Sequence, residues 1–228
     1  MLTKFKKVLV VAPHPDDETL GVGGTIKKLT KKKIDVSIVI VGGHLPPVYE
    51  EHHYIQTVKE CKKACNILGV KKLLFLDKIA TKFNEEPIVE FNKSLLKVIN
   101  KVNPEVIFIP FPDRHIDHKV VFKSCMVCTR PKKNSKLKMI LSYETLSETH
   151  WNANYIEPNF IPDVFIDISG EYKFKEKALK KYSSQIKSNK ARNIDAIKGL
   201  ASFRGSQNHK KYCEAFKLIR FNFWFYSI

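Results

Sequence analysis

Four short apolar runs, Val8–Ala12, Val36–Val41, Leu73–Leu76 and Val106–Ile109, constrain this 228-residue chain most strongly. A strand with one wet face alternates apolar and polar residues; these runs do not alternate, as expected of strands covered on both faces. Between them lie longer segments with helical periodicity, Leu20–Lys33, Glu51–Leu68 and Val89–Lys101. The alternation predicts an α/β fold, a Rossmann-like, mostly parallel sheet with helices on both faces. Gly21-Val-Gly-Gly24 permits close helix–sheet packing; its spacing does not make a dinucleotide fingerprint. From about Met139 the chain adds a strand near Val164–Ile168 and helical segments near Phe174–Ser184 and Ile194–Phe203. With no linker, repeat or low-complexity stretch, residues 1–228 are expected to form one domain.

Two of the runs end in chemistry. Val8–Ala12 leads directly into His14, Pro15, Asp16, Asp17 and Glu18. Ligands of open α/β sheets bind just beyond the carboxyl ends of the strands. Acids crowded with an imidazole at such a point repel or mispair without a cation, and His and Asp are good ligands for a divalent metal. Pro15 fixes its own backbone and biases His14 toward an extended conformation. Val106–Ile109 leads into Pro112-Asp-Arg-His-Ile-Asp-His118 and then a helical segment to Cys128, with Asp113 as the expected helix N-cap. His115 and His118 are three apart and share a helix face, so one can bind a metal while the other sits above an open coordination position. A lone acid pair, or two such histidines, is usually a solvated surface feature. Both clusters at strand ends together point to a metal-dependent hydrolase.

Pro13-His14-Pro15-Asp16-Asp17-Glu18 and His115-Ile116-Asp117-His118 resemble the two hallmark segments of the zinc-dependent N-deacetylases of the LmbE-like, or PIG-L, superfamily. Tyr143–Asn152 is similar to a block of its sugar-acting members, and Tyr182-Ser-Ser-Gln185, Phe203–Gln207 and Tyr212–Phe216 to later blocks. The resemblance implies that His14, Asp17 and His118 hold Zn2+, that Asp16 is the general base, and that His115 stabilises the oxyanion and helps protonate the leaving amine. Asp117 is then expected to orient His115. Three protein ligands leave a position for water, the pattern of a catalytic zinc. The implied substrate is a small molecule or glycan bearing an N-acetylated amino sugar, cleaved to release acetate. Glu144, Trp151 and Arg204 are candidates for binding it, by hydroxyl hydrogen bonds, ring stacking and a bidentate grip on an anion. They read equally well as structural, with Arg204 paired to Glu214 and Trp151 in the core. Two departures stand out. Thr57 replaces an expected Arg on the second helix, with Lys59 pointing elsewhere, and Gly42-Gly-His44 replaces a Gly-Glu-type loop, with His44 read as exposed.

The net charge is +17, from lysines scattered in short runs such as Lys31-Lys32-Lys33. Aromatics do not interleave with these runs, which argues against nucleic acid and leaves attraction to an anionic substrate or a weak membrane-surface contact. The segment from Phe221 to Ile228 is too short to span a bilayer and is expected to be a final strand or a packed tail. No targeting segment is visible, and five cysteines, an odd number, fit reduced thiols in a cytoplasmic protein. Two other classes compete with the deacetylase. One is an iron(II) oxygenase using a two-His, one-carboxylate triad, against which the spare acid Asp16 speaks. The other is a basic binding module without catalysis, against which the complete set of Asp16, His115 and Asp117 speaks.

Overall fold

The computed structural model describes residues 4–133, 135–153, 155–186 and 190–222. Seven strands, β1 (Lys7–Ala12), β2 (Asp35–Gly43), β3 (Lys72–Ile79), β4 (Val106–Pro110), β5 (Met139–Tyr143), β6 (Val164–Asp167) and β7 (Cys213–Phe221), form one sheet in the order 3-2-1-4-5-7-6. β3, β2, β1, β4 and β5 run parallel, and β7 pairs antiparallel with both β5 and β6. The helices are α1 (Asp17–Lys31), α2 (Glu51–Leu68), α3 (Ile88–Val102), α4 (Ile116–Cys128), α5 (Tyr172–Leu179), α6 (Ser183–Ile186) and α7 (Ile194–Ser206). The expected α/β sheet is therefore the observed one.

The runs of β1, β2 and β4 bury both faces, whereas Leu73–Leu76 of the edge strand β3, expected to be buried, is only half-buried. Val8, Val10 and Ala12 of β1 pack with Leu20, Val22 and Ile26 of α1 and Ala64 and Leu68 of α2. Leu9 and Val11 point the other way, into Phe91 and Leu95 of α3 and Val121 and Cys125 of α4. At roughly 25 cal/mol per Å2 of apolar surface, these two cores are the main force holding the layers together. α3 ends where Asn103 takes a left-handed conformation (φ 48°), and α2 where Gly69 does (φ 84°). Gly21 has a different reason: a Cβ there would lie 2.2 Å from the Tyr143 ring, so α1 packs on the sheet as closely as expected.

Two further details differ from the sequence reading. α1 starts at Asp17 rather than Leu20, placing Asp17 and Glu18 in its first turn, where acids favour the positive end of the helix dipole. The segment expected as one helix near Phe174–Ser184 divides into α5 and α6. Glu60 of α2 explains the seating of α6, accepting hydrogen bonds from the Ser183 and Ser184 hydroxyls at 2.9 and 2.6 Å. Phe221 closes β7, while residues 223–228 of the aromatic tail lie outside the described residues. Among the described residues, no helix is long and apolar enough to cross a membrane.

Candidate active site

β1 and β4 are adjacent parallel strands, with Val8 opposite Val106 and Val10 opposite Phe108. The chain leaves β1 toward β2 on one side and later returns to β4 on the other. Their carboxyl ends thus form the switch point at which open sheets bind ligands. This topology brings together two motifs about 100 residues apart in sequence. His14, Asp16 and Asp17 come from the β1–α1 junction, and Asp113, His115, Asp117 and His118 from the β4–α4 junction.

Asp17 Oδ2 lies 3.3 Å from His14 Nδ1 and 3.4 Å from His118 Nε2. Tetrahedral zinc with bonds of about 2.0–2.2 Å needs donors spaced roughly 3.3–3.6 Å apart. Both Asp17 distances fall in that range, and the donor atoms of His14, Asp17 and His118 all lie within 4.8 Å of one another. Each imidazole is held from behind by a carboxylate. His14 Nε2 is 2.8 Å from Asp117 Oδ2, and His118 Nδ1 is 3.0 Å from an Asp113 oxygen. A carboxylate on the far nitrogen fixes the ring and frees the near nitrogen for a metal. The residues therefore fit a divalent ion by both spacing and chemistry.

Two roles differ from the sequence expectation. Asp113 does not cap α4. His115 is the N-cap, its Nδ1 accepting the Asp117 backbone N–H at 3.2 Å. Asp113, fully buried, instead receives the His115 backbone N–H at 3.0 Å and the Thr149 hydroxyl at 2.8 Å besides holding His118. The Asp117 carboxylate is not directed at His115 either. It takes His14 and the Thr81 backbone N–H at 2.6 Å, so it orients a candidate ligand rather than the candidate oxyanion donor.

The electrostatics follow from burial and these pairings. Burial alone would depress the two imidazoles; the bonds from Asp117 and Asp17 outweigh it at His14, raising it to about 9. Burial is likewise outweighed at His118 by the Asp17 and Asp113 carboxylates, which raise it to about 10. Asp17 is held well below the ordinary carboxylate range, its burial overcome by His118 and His14. Asp16 moves the other way: burial, opposed by the Arg192 guanidinium, pushes it up to about 7. Burial, and then the positive charge of His14 and His118, depresses His115 to about 4, so its imidazole is neutral at pH 7. Because its Nδ1 accepts a backbone N–H, the proton of that neutral ring sits on Nε2.

These residues open into a cleft of about 130 Å3. Asp16, His115, His14, Thr57, Thr81, Gln185, Glu148 and Arg192 line it. A sequence profile of the PIG-L family, described as GlcNAc-PI de-N-acetylase, matches residues 9–129, which contain both motifs. The chain belongs to the PIG-L family. The diacetylchitobiose deacetylase of Thermococcus kodakarensis is 29% identical over 229 aligned positions, spanning 94% of this chain and 83% of that protein. A probable N-acetyl-alpha-D-glucosaminyl L-malate deacetylase 2 of Bacillus anthracis is 31% identical over 123 positions, 50% of this chain and 54% of its own length. The solved structure of N,N'-diacetylchitobiose deacetylase from Pyrococcus horikoshii superposes with a TM-score of 0.75 at 25% identity, covering 96% of this chain and 85% of its own. This PIG-L protein is accordingly an enzyme, an amide hydrolase of a metal-dependent family.

The later candidates of this PIG-L chain fall elsewhere. Arg204 and Glu144 are both buried and grip each other in bidentate fashion, at 2.8 and 2.7 Å. Glu214, the structural partner expected for Arg204, instead takes Lys175 at 2.6 Å and two backbone N–H groups of α1. Trp151 is neither in the core nor in the cleft wall; it is 52% exposed, with the Arg114 guanidinium 5.7 Å from its ring. His44 is half-buried and lines the cleft beside Tyr49, correcting its reading as an exposed loop residue. Thr57 lines the cleft where Arg was expected, and Lys59 is exposed. Glu18, Cys61 and Cys65 form another buried group, but both Glu18 oxygens are engaged, by the Thr19 and Tyr182 hydroxyls and the Asp16 N–H. Sequence reasoning missed Arg192 and Glu148. Glu148 lies within the Tyr143–Asn152 block, where Glu144 and Trp151 drew the attention, whereas no local pattern marks Arg192, one of 40 basic residues.

Proposed function

We propose that this protein is a zinc-dependent N-deacetylase that hydrolyses the acetamide of an N-acetylated amino sugar, releasing acetate and a free amine. The observation carrying the reading is the convergence of His14, Asp17 and His118 beside a fourth, buried carboxylate, Asp16, which is held by Arg192. A metal-binding cluster alone fits several chemistries; a spare buried carboxylate beside it fits general-base hydrolysis.

His14, Asp17 and His118 would hold the ion, and zinc there supplies a Lewis acid that acidifies water and polarises a carbonyl. Asp16 accepts the proton of water as the water oxygen attacks the acetyl carbon. His115 donates its Nε2 proton in a hydrogen bond to the oxygen on which negative charge develops. As the C–N bond breaks, Asp16 returns the proton to the nitrogen; the acid formed gives up the second water proton, to the amine or to solvent, and acetate departs. Thr57, Thr81, Gln185 and Glu148 present hydrogen-bonding groups in the cleft suited to sugar hydroxyls. The relatives named for diacetylchitobiose and for a glucosaminyl malate support an amino sugar as the substrate. Trp151 and its Arg114 neighbour offer a stacking surface outside the cleft wall for a second sugar ring. The test is acetate release by zinc-loaded protein from a panel of N-acetylated mono- and disaccharides. Selective release from some members supports the proposal, and no release from any of them overturns it.

A further inference from the structure

We infer that Arg192 is a positioning residue for the general base Asp16, an inference that rests on reading the site as a deacetylase. Arg192 belongs to no strand or α-helix. It ends a short 3-10 turn, Lys190–Arg192, and its neighbour Asn193 caps α7 by accepting the Ala196 N–H at 2.7 Å. The cap fixes the point from which the side chain enters the cleft. There the guanidinium donates through three different nitrogens: Nη1 to Asp16 Oδ2 at 3.2 Å, Nη2 to Glu148 Oε1 at 3.0 Å and Nε to Ser147 Oγ at 3.0 Å. The side chain is only 16% exposed, so water screens these bonds little.

Two of the three partners have unusual backbones. Asp16 sits at φ 125° and Ser147 at φ 78°, regions that non-glycine residues enter only when their surroundings hold them there. Arg192 is the side chain that joins these two strained points, and Glu148 anchors it from the third direction. Binding Asp16 through Oδ2 leaves Oδ1 to take the proton of water and fixes the direction in which it does so. A planar fork with several donors can bridge three acceptors in this way. A lysine ammonium, a compact point charge on a flexible stem, cannot reproduce the geometry. Arg192 thus acts through Asp16 and is distinct from a group that grips the substrate.

The experiment compares zinc-loaded wild type, Arg192→Ala and Arg192→Lys by crystallography, zinc content, thermal melting and acetate release. In Arg192→Ala the Asp16 carboxylate should turn away from its wild-type orientation while zinc content is retained. Its kcat should fall about 10²-fold, the scale of a misplaced catalytic group, with KM within about twofold of wild type. Guanidinium ion added to the assay should restore about a tenth or more of the lost rate, which a purely structural defect would not allow. Arg192→Lys, which keeps the charge, should remain well below wild type and supplies the crystal comparison if the alanine variant does not fold. An unmoved Asp16 carboxylate in the variant crystals overturns the inference whatever the turnover. So does a raised KM with kcat retained, which would make Arg192 a substrate anchor. Wild type that releases no acetate refutes the deacetylase reading alone, and the crystal comparison still decides the role of Arg192.

Discussion

Replacing Asp117 with Asn should weaken zinc binding rather than only slow turnover. Sequence logic ties Asp117 to His115 and so to catalysis, whereas the geometry ties its carboxylate to His14, a candidate ligand, at 2.8 Å. Asn can still present an oxygen to His14 and to the Thr81 N–H, so the loss is mainly that of charge. A hydrogen bond to a charged group contributes about 1.5–3 kcal/mol against about 0.5–1.5 for a neutral one. The difference, about 1–1.5 kcal/mol, is roughly a tenfold change in affinity. Asp117→Ala removes both bonds and leaves the Thr81 N–H without its acceptor, so it should approach the 100-fold end of the range seen for partners of metal-bound histidines. The assay is competition for zinc against a chromophoric chelator at fixed pH, with thermal melts to confirm folding. Wild-type zinc affinity in Asp117→Asn together with reduced kcat would refute the assignment and return Asp117 to His115.

Zinc binding should also release protons. His14 and His118, raised to about 9 and about 10, are protonated in the metal-free protein at pH 7.5, and both must surrender a proton to coordinate. Calorimetry in buffers of different ionisation enthalpy should show this release, and apparent affinity should rise with pH; heats independent of buffer would contradict it. The same groups have folded pKa values above the usual 6.5, so their contribution to metal-free stability is complete below pH 6.5 and is lost as pH rises through 9 and 10. Urea melts of the metal-free protein should weaken over that window, and a flat profile would argue against the buried imidazolium pairs. Arg204→Ala leaves the buried Glu144 carboxylate with only the His150 ring, 3.4 Å away, and should cost about 3 kcal/mol in thermal or chemical denaturation with zinc content unchanged; an unchanged Tm with raised KM would restore Arg204 to substrate binding. His115→Ala should keep zinc and lose about 10²–10³ in kcat, a result that near-normal turnover would exclude.

The cluster of candidate ligands was legible because His14, Asp17 and His118 sit in two contiguous motifs, each directly after an apolar run, and parallel pairing of β1 with β4 brings them together. The partners behind the candidate ligands were not legible. Asp113 and Asp117 are both within five residues of two histidines, and only the backbone turn before α4 decides which ring each carboxylate faces. That turn makes His115 the cap, a role sequence preference gives to Asp before His. Arg192 was invisible because its three bonds reach back 45, 44 and 176 residues. The parallel half of the sheet followed from strand–helix alternation. The insertion of β7 between β5 and β6 did not, since chain order places the β6 strand first.

The most direct measurement is acetate release by Asp16→Asn loaded with one zinc per chain, set beside wild type on the same N-acetylated sugar. The amide cannot accept the water's proton and leaves His14, Asp17 and His118 in place. Zinc should therefore be retained while kcat falls about 10²–10⁴-fold. Turnover close to wild type with zinc bound would show that Asp16 is not the base and contradict the proposed chemistry.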